Sequence, residues 1–392
     1  MKDQIQTVIN LGKGKIRRYS NPSFATLYRL RSKIDLLTGK EESFDGQRVL
    51  DQWDDQGLED SKKIFHLFYE LGYLIEGIES KTFAKHNPIL AIEIHYSDSE
   101  DRIAPERGES TKFHEYYREL FGVYQASFNS GYDALMRGDC YQFNLTYPFR
   151  YESDDLMDFD LFTSLLMSDP KRAGAYAHLS FIPQMKKILV SNSPECLFQG
   201  RMMPDSLKLW TMPIKGTINC FKDEEIKDKW KELKRSVKDQ AELYMITDLL
   251  RNDMTRIEKT PSKVVKKKLP LRVPGLLHQY SLIEVTLSKN LTLKKILQGL
   301  FPGGSVTGAP KKRVMSILDV LENEPRGFYC GSTVILDDDI IAASINIRSG
   351  EYEMESKMLK IHAGGGITLE SDCNNEFLEM HAKRDSFLSL FT

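Results

Sequence analysis

The strongest constraint on the fold is a succession of short strand-like runs set between helix-like segments. Cys140–Thr146, Leu207–Met212, Phe328–Gly331 and Ser344–Ser349 each read as a strand, and Lys187–Phe198 reads as two strands broken at a Ser/Asn/Pro turn. A strand this short cannot bury its apolar face alone and has to find sheet partners. Helices interspersed among such strands predict an α+β chain. At 392 residues and 41% hydrophobic content the chain can build one large domain or two ordinary ones.

Apolar periodicity predicts the helices. One runs from Ser61 to Leu74, and a second from Lys112 to Met136 through Tyr116, Leu120, Val123 and Tyr124, stopping near Gly138. The clearest spans Ile226 to Asn252, another follows Lys311 to Val320, and the last begins after Ser371-Asp372-Cys373. Residues 1 to about 105 mix strand-like pieces such as Ile89–Ile94 with charged turns and carry no recognisable chemistry.

With 54 Lys+Arg against 56 Asp+Glu the formal charge is -2, which gives no electrostatic footprint for nucleic acid or an anionic membrane. Cys140, Cys196, Cys220, Cys330 and Cys373 are scattered without a C-x-x-C pair and read as reduced thiols of a cytoplasmic protein. No apolar run reaches eighteen residues, so neither a signal peptide nor a membrane span is expected.

Several residues carry candidate chemistry. In Pro213-Ile214-Lys215-Gly216-Thr217 a lysine follows a strand and precedes a glycine that leaves room for a ligand, a mount for a nucleophile or an ordinary turn lysine. Glu195, at the Ser/Asn/Pro turn, is either an exposed turn residue or, if desolvated, a carboxyl with the raised pKa of a general acid. Alternation places Gln142 and Asn144 on one strand face, for structural hydrogen bonds or a polar ligand.

Asp239 and Glu242 share one helix face, and Glu376, Glu379 and Lys383 share another. Two such carboxylate pairs suit a hard cation such as Mg²⁺, or they are simply solvated faces. Phe301–Lys311 and Ala363–Ile367 are glycine-rich, and the first leads into a helix where backbone N–H groups can receive a carboxylate. Arg348, at the end of a strand, suits bidentate carboxylate binding or a buried structural role.

In order along the chain, GDCYQFNLT, NSPECLF, PIKGT, KDQAELYMITDLLRNDMTRI, GLLHQYS, FPGGSVTGAPKKR, GFYCGS, INIRS and AGGGITLESDCNNEFLEMHAKRD resemble the motifs of the chorismate-utilising enzyme family from about Lys112 to Phe391. The resemblance implies two antiparallel β-sheets packed as a sandwich with helices outside. It implies a divergent, short amino-terminal region over residues 1–110 contributing to that sandwich, and a chorismate-binding catalytic region over residues 111–392.

The family's roles then fall on particular positions. Glu242 and Glu379 match Mg²⁺ ligands, with Asp239 and Glu376 as neighbouring acids that reach the ion directly or through water. Arg348 and Tyr329 match binders of the enolpyruvyl carboxylate, assisted by backbone N–H groups near Gly364, Gly365 and Gly366. Thr217, His278, Thr307 and Lys383 match further pocket contacts, and Glu195 matches the acid that protonates the departing C4 hydroxyl.

Two positions select a branch. Relatives that add water at C2 carry a lysine base where this chain has Gln142, and anthranilate synthases carry a small residue where it has Lys215. A lysine there resembles the aminodeoxychorismate synthases, in which the amine attacks C2 and ammonia then adds at C4. That branch implies a glutamine amidotransferase partner and a separate downstream aminodeoxychorismate lyase. Asn219, Cys220, Thr255, Cys373 and Ala382 depart from the family pattern, and none of them is a proposed catalytic group.

Overall fold

The computed structural model describes residues 4–392 apart from 55–56, 59–61, 118–120, 221, 274–275, 323 and 339. Ser61, Leu120 and Gly275 therefore lie outside the described residues. In chain order the strands begin with β1 (Gln6–Gly12), β2 (Lys15–Arg29), β3 (Ser32–Asp35), β4 (Glu41–Ser43), β5 (Lys63–Leu67), β6 (Ile89–Ile103) and β7 (Phe113–Tyr117). Next come β8 (Gln142–Ser153), β9 (Tyr176–Ile182), β10 (Lys187–Ser193), β11 (Cys196–Met202), β12 (Ser206–Thr211) and β13 (Ile214–Asn219). The last are β14 (Lys263–Val273), β15 (Leu276–Ser288), β16 (Gly308–Ala309), β17 (Ser332–Asp337), β18 (Ile340–Ile345), β19 (Ser349–Glu353) and β20 (Met358–Ile367).

The helices are α1 (Leu71–Ile75), α2 (Lys81–Lys85), α3 (Phe121–Met136), α4 (Phe159–Met167), α5 (Ile226–Arg235), α6 (Val237–Arg256), α7 (Leu293–Leu300), α8 (Lys311–Leu321) and α9 (Cys373–Leu388).

Every strand pairing is antiparallel, and together they trace one path. From β14 it runs through β15, β12, β11, β18, β17, β5, β6, β2, β1, β9, β10, β19, β20 and β8 to β7 and β16; β13 also lies on β15, and β3 on β2. Among the described residues no pairing joins β14 to β7 or β16, so the path folds back on itself without closing. The two layers expected of the sandwich are thus two wings of one sheet, joined through the amino-terminal strands β5, β6, β2 and β1.

Alternation divides each strand between an inner and an outer core. Phe65 and Leu67 point outward to a cluster with Trp53 and residues of α6 and α7, while Ile64 points inward to meet Ile92, Ile94, Ile9 and Leu189. On the second wing Phe143, Leu145 and Phe149 pack outward against α3, α4, α8 and α9. Each fully buried phenylalanine contributes about 1.5–3 kcal/mol over the exposed state.

Tertiary structure overrides several local expectations. Residues 63–67 are strand β5, not part of a Ser61–Leu74 helix, because they lie between β6 and β17 and α1 covers only Leu71–Ile75. Tyr116 sits on β7, so the second helix starts at Phe121 rather than Lys112. The long helix is two, broken at Ser236, whose backbone turns extended and whose hydroxyl accepts a hydrogen bond from Asp239 N at 3.2 Å as the N-cap of α6. Residues 328–330 form a turn before β17, and 346–348 form another between β18 and β19.

Candidate active site

Both wings contribute to one cavity of about 160 Å³. The turn between β10 and β11 supplies Glu195, and β13 supplies Lys215. The opposite wing supplies Asn144 from β8, His362, Gly364 and Gly366 from β20, and Lys383 from α9. The turns before β17 and β19 add Tyr329 and Arg348, and the glycine-rich loop before α8 adds Ser305 and Val306. Of the expected site residues, Glu195, Lys215, Tyr329, Arg348, Gly364, Gly366 and Lys383 thus line one space.

Lys215 owes its setting to a bulge. It pairs with Gln279 on β15, and Thr217 with the next residue back, His278, so Gly216 is the extra residue at φ +79°. A Cβ on Gly216 would lie 2.9 Å from Gln279 Nε2, 3.0 Å from Asp239 Cβ and 3.1 Å from Leu233 Cδ1. The glycine is therefore required by the left-handed backbone and by the close approach of α5 and α6. The expected room for a ligand at Gly216 is taken by those side chains.

Glu195 is half-buried at the cavity wall. Burial pushes its pKa up, while the nearby Ser305 hydroxyl and the charge of Lys215 pull the other way. Arg348 sits at φ +50° and is open to the cavity, but protein atoms crowd its guanidinium and the resulting desolvation lowers its pKa. Among the described residues no carboxylate pairs with it. An exposed, unpaired guanidinium beside the buried Tyr329 phenol suits a ligand carboxylate. Among the described residues the pairing of β20 with β19 ends at Ile361, and no strand pairs with that edge along Gly364–Gly366.

Other expected residues lie around this space rather than in its wall. Gln142 lies against Gly366, where a Cβ would come 2.2 Å from its Nε2. Thr217 Oγ1 and His278 Nδ1 share a 2.8 Å hydrogen bond, and burial with the nearby Arg348 charge holds His278 below its ordinary pKa. Thr307 is fully buried, and its hydroxyl donates to Gly303 O at 3.1 Å, so it serves the loop. A buried ion pair, Lys311 Nζ to Asp253 Oδ2 at 2.9 Å, ties that loop to α6.

The four acidic positions approach from two helices. Asp239, in the first turn of α6, packs over Gly216, and Glu376, in the first turn of α9, packs over Gly365 and accepts from Ser371 Oγ at 2.7 Å. Glu242 lies one turn beyond Asp239 on α6, and Glu379 pairs with Lys383 at 2.7 Å, whose ammonium also donates to Gly364 O at 3.0 Å. Among the described residues no three ligand-type side chains converge into a preformed metal cluster. The oxygen-only donor set still fits Mg²⁺, which takes one or two protein carboxylates and completes its shell with water and substrate oxygens.

His362 and Ser305 escaped the sequence reading. His362 follows Ile361 and precedes Ala363, both buried, so no alternation marks it as polar-facing. Ser305 is one small residue inside a glycine-rich loop.

Comparison with known proteins agrees with this geometry. The family model for chorismate binding enzymes matches residues 79–389. Aminodeoxychorismate synthase component 1 of Salmonella typhimurium is 32% identical over 282 residues, covering 69% of this chain and 56% of that protein. The Escherichia coli protein of the same name is 32% identical over 303 residues, covering 75% and 61%. Anthranilate synthase component 1 of Archaeoglobus fulgidus is 28% identical over 280 residues, covering 71% and 63%. The chain thus spans roughly three fifths of the length of the curated relatives it matches.

The crystal structure of anthranilate synthase component I from Streptococcus pneumoniae superposes with a TM-score of 0.74 at 19% identity, over 99% of this chain and 92% of that one, and shows the same fold. With the family model covering most of its length and its motifs gathered around one cavity, the chain belongs to the chorismate binding enzyme family.

Proposed function

We propose that the protein is component I of an aminodeoxychorismate synthase, converting chorismate and ammonia to 4-amino-4-deoxychorismate on the route to 4-aminobenzoate and folate. The observation that carries this reading is Lys215 beside a Glu195 of raised pKa, in a cavity that also holds Arg348 and Tyr329. An amine, an acid and a carboxylate clamp are what an allylic displacement on chorismate requires.

In this mechanism Arg348 and Tyr329 hold the enolpyruvyl carboxylate, with backbone N–H groups of Gly364–Gly366 along the unpaired edge of β20. The Lys215 nitrogen attacks C2 through its lone pair, both ring double bonds shift by one position, and the C4–O bond breaks as Glu195 donates its proton, so that water leaves. Ammonia then attacks C4, both double bonds shift back, and the C2–N bond to Lys215 breaks. The carboxylate of Glu195 takes the excess proton from the ammonium nitrogen. Glu242 and Glu379, with Asp239 and Glu376, would hold Mg²⁺, which when bound neutralises the ring carboxylate. Gln142, Thr217, His278, Thr307 and Lys383 would line or support the substrate's polar rim.

Ammonia would come from a glutamine amidotransferase subunit, and a separate lyase would complete 4-aminobenzoate. The five cysteines are free thiols, which fits a reducing cytoplasmic setting, and among the described residues no helix is long and apolar enough to cross a membrane. The test is to incubate the pure protein with chorismate, Mg²⁺ and an ammonium salt and identify the product by mass spectrometry. Formation of 4-amino-4-deoxychorismate supports the reading, and anthranilate formed without a lyase replaces it with anthranilate synthase. Loss of turnover on chelation, restored by Mg²⁺, supports the metal role.

A further inference from the structure

His362 stands out among the residues lining the cavity. It is 5% exposed, and among the described residues neither ring nitrogen has a hydrogen-bond partner. Ile361 and Ala363 join the core under α9 and also border the cavity, and His362 between them lines it together with Tyr329 and Arg348. Across the ladder it faces Pro148, and its ring meets that of Tyr329 edge to face, with centroids 5.5 Å apart and planes at 68°.

Buried polar atoms are nearly always paired, so an imidazole with both nitrogens unsatisfied at the wall of a cavity is arranged for something that enters it. We propose that His362 is a substrate-binding residue, its imidazole N–H donating to the carboxylate that Arg348 and Tyr329 receive. This rests on chorismate being the ligand of the cavity. Burial and the nearby charges of Lys360, Arg326 and Arg150 hold the ring neutral, so it offers one donor and one acceptor rather than a second positive charge. A neutral donor adds direction to the clamp and leaves Arg348 as its charge.

The test pairs kinetics with a direct view of the ring. His362→Phe keeps an aromatic ring against Tyr329 and removes both nitrogens, and it should raise KM for chorismate about 10- to 100-fold, the loss of one hydrogen bond to a charged group, with a smaller change in kcat. His362→Asn, which restores a donor, should recover part of that loss. In the unsubstituted protein, chorismate should shift the His362 ¹⁵N resonances, identified by their disappearance in His362→Phe, without protonating the ring. Resonances unmoved by saturating chorismate, or a His362→Phe variant with unchanged KM, would overturn the assignment even if 4-amino-4-deoxychorismate is formed. Shifted resonances with anthranilate as product would leave His362 in place and overturn only the proposed reaction.

Discussion

Lys215 lies near enough to Glu195 for its charge to offset part of the burial that raises the Glu195 carboxyl. The two side chains face one cavity from the β10–β11 turn and from β13. Replacing Lys215 by Ala should abolish amination and the mass increase on the intact protein after incubation with chorismate without ammonia. Glu195→Gln should lower kcat about 10²- to 10⁴-fold, the usual contribution of a positioned acid, while the protein still binds chorismate. Full turnover by Lys215→Ala would remove the covalent step.

The pH profile carries a sign. In the proposed mechanism Glu195 has to be protonated to act as the acid, and its pKa lies above the ordinary carboxylate value. The rate should therefore fall as pH rises through that pKa. The Ser305 hydroxyl beside Glu195 works against that rise in pKa, so Ser305→Ala should move this limb of the kcat/KM profile to higher pH. A limb that stays in place would separate Ser305 from the acid.

The Lys311–Asp253 pair joins the glycine-rich loop to α6, and both residues are at most 5% exposed. Lys311→Met leaves the buried Asp253 carboxylate only the longer 3.5 Å contact with the exposed Arg256 and should cost about 3–5 kcal/mol in urea unfolding. The double variant Lys311→Met, Asp253→Leu should recover much of that loss, since no charge then remains buried.

His66 and His178 are buried between the wings with their rings stacked 6.0 Å apart, and burial lowers both pKa values, that of His178 to about 4. In the unfolded chain each titrates near 6.5, so between that value and the folded pKa the unfolded state binds more protons. The stability these neutral rings contribute is present above pH 6.5 and is lost as pH falls toward the folded values. The loss is about 1.4 kcal/mol per pH unit for each ring. Urea midpoints from pH 7 to pH 5 should drop, and His178→Phe should flatten that drop.

Gly216→Ala forces a side chain into left-handed backbone, at about 1–2 kcal/mol, and into Gln279 and Asp239. The melting temperature should fall, and kcat should fall more than the remaining folded fraction explains, because the bulge that presents Lys215 is disturbed.

The site was more legible in the sequence than the fold around it. PIKGT, NSPECLF and AGGG mark positions by residue type and order, and Lys215, Glu195 and Gly364 do meet at one cavity. Element boundaries depend on partners distant in the chain. Residues 63–67 look helical in isolation and become strand because Phe65 pairs with Val334 and Glu93. Ser236 breaks a continuous helical pattern because its hydroxyl caps α6. His362 was hidden for a related reason: its neighbours are apolar, and only the cavity beside β20 distinguishes it from a core histidine.

The route of the sheet also dictates a timetable for synthesis. β5 and β6 pair with each other early, but the outer edge of β5 must wait for residues 332–337, roughly 270 positions later. At about 5–20 residues per second that wait is on the order of tens of seconds. Through it a nascent chain carries an unpaired strand edge at the centre of its future sheet, so this protein should depend on chaperone cover during translation more than its modest net charge and ordinary composition suggest.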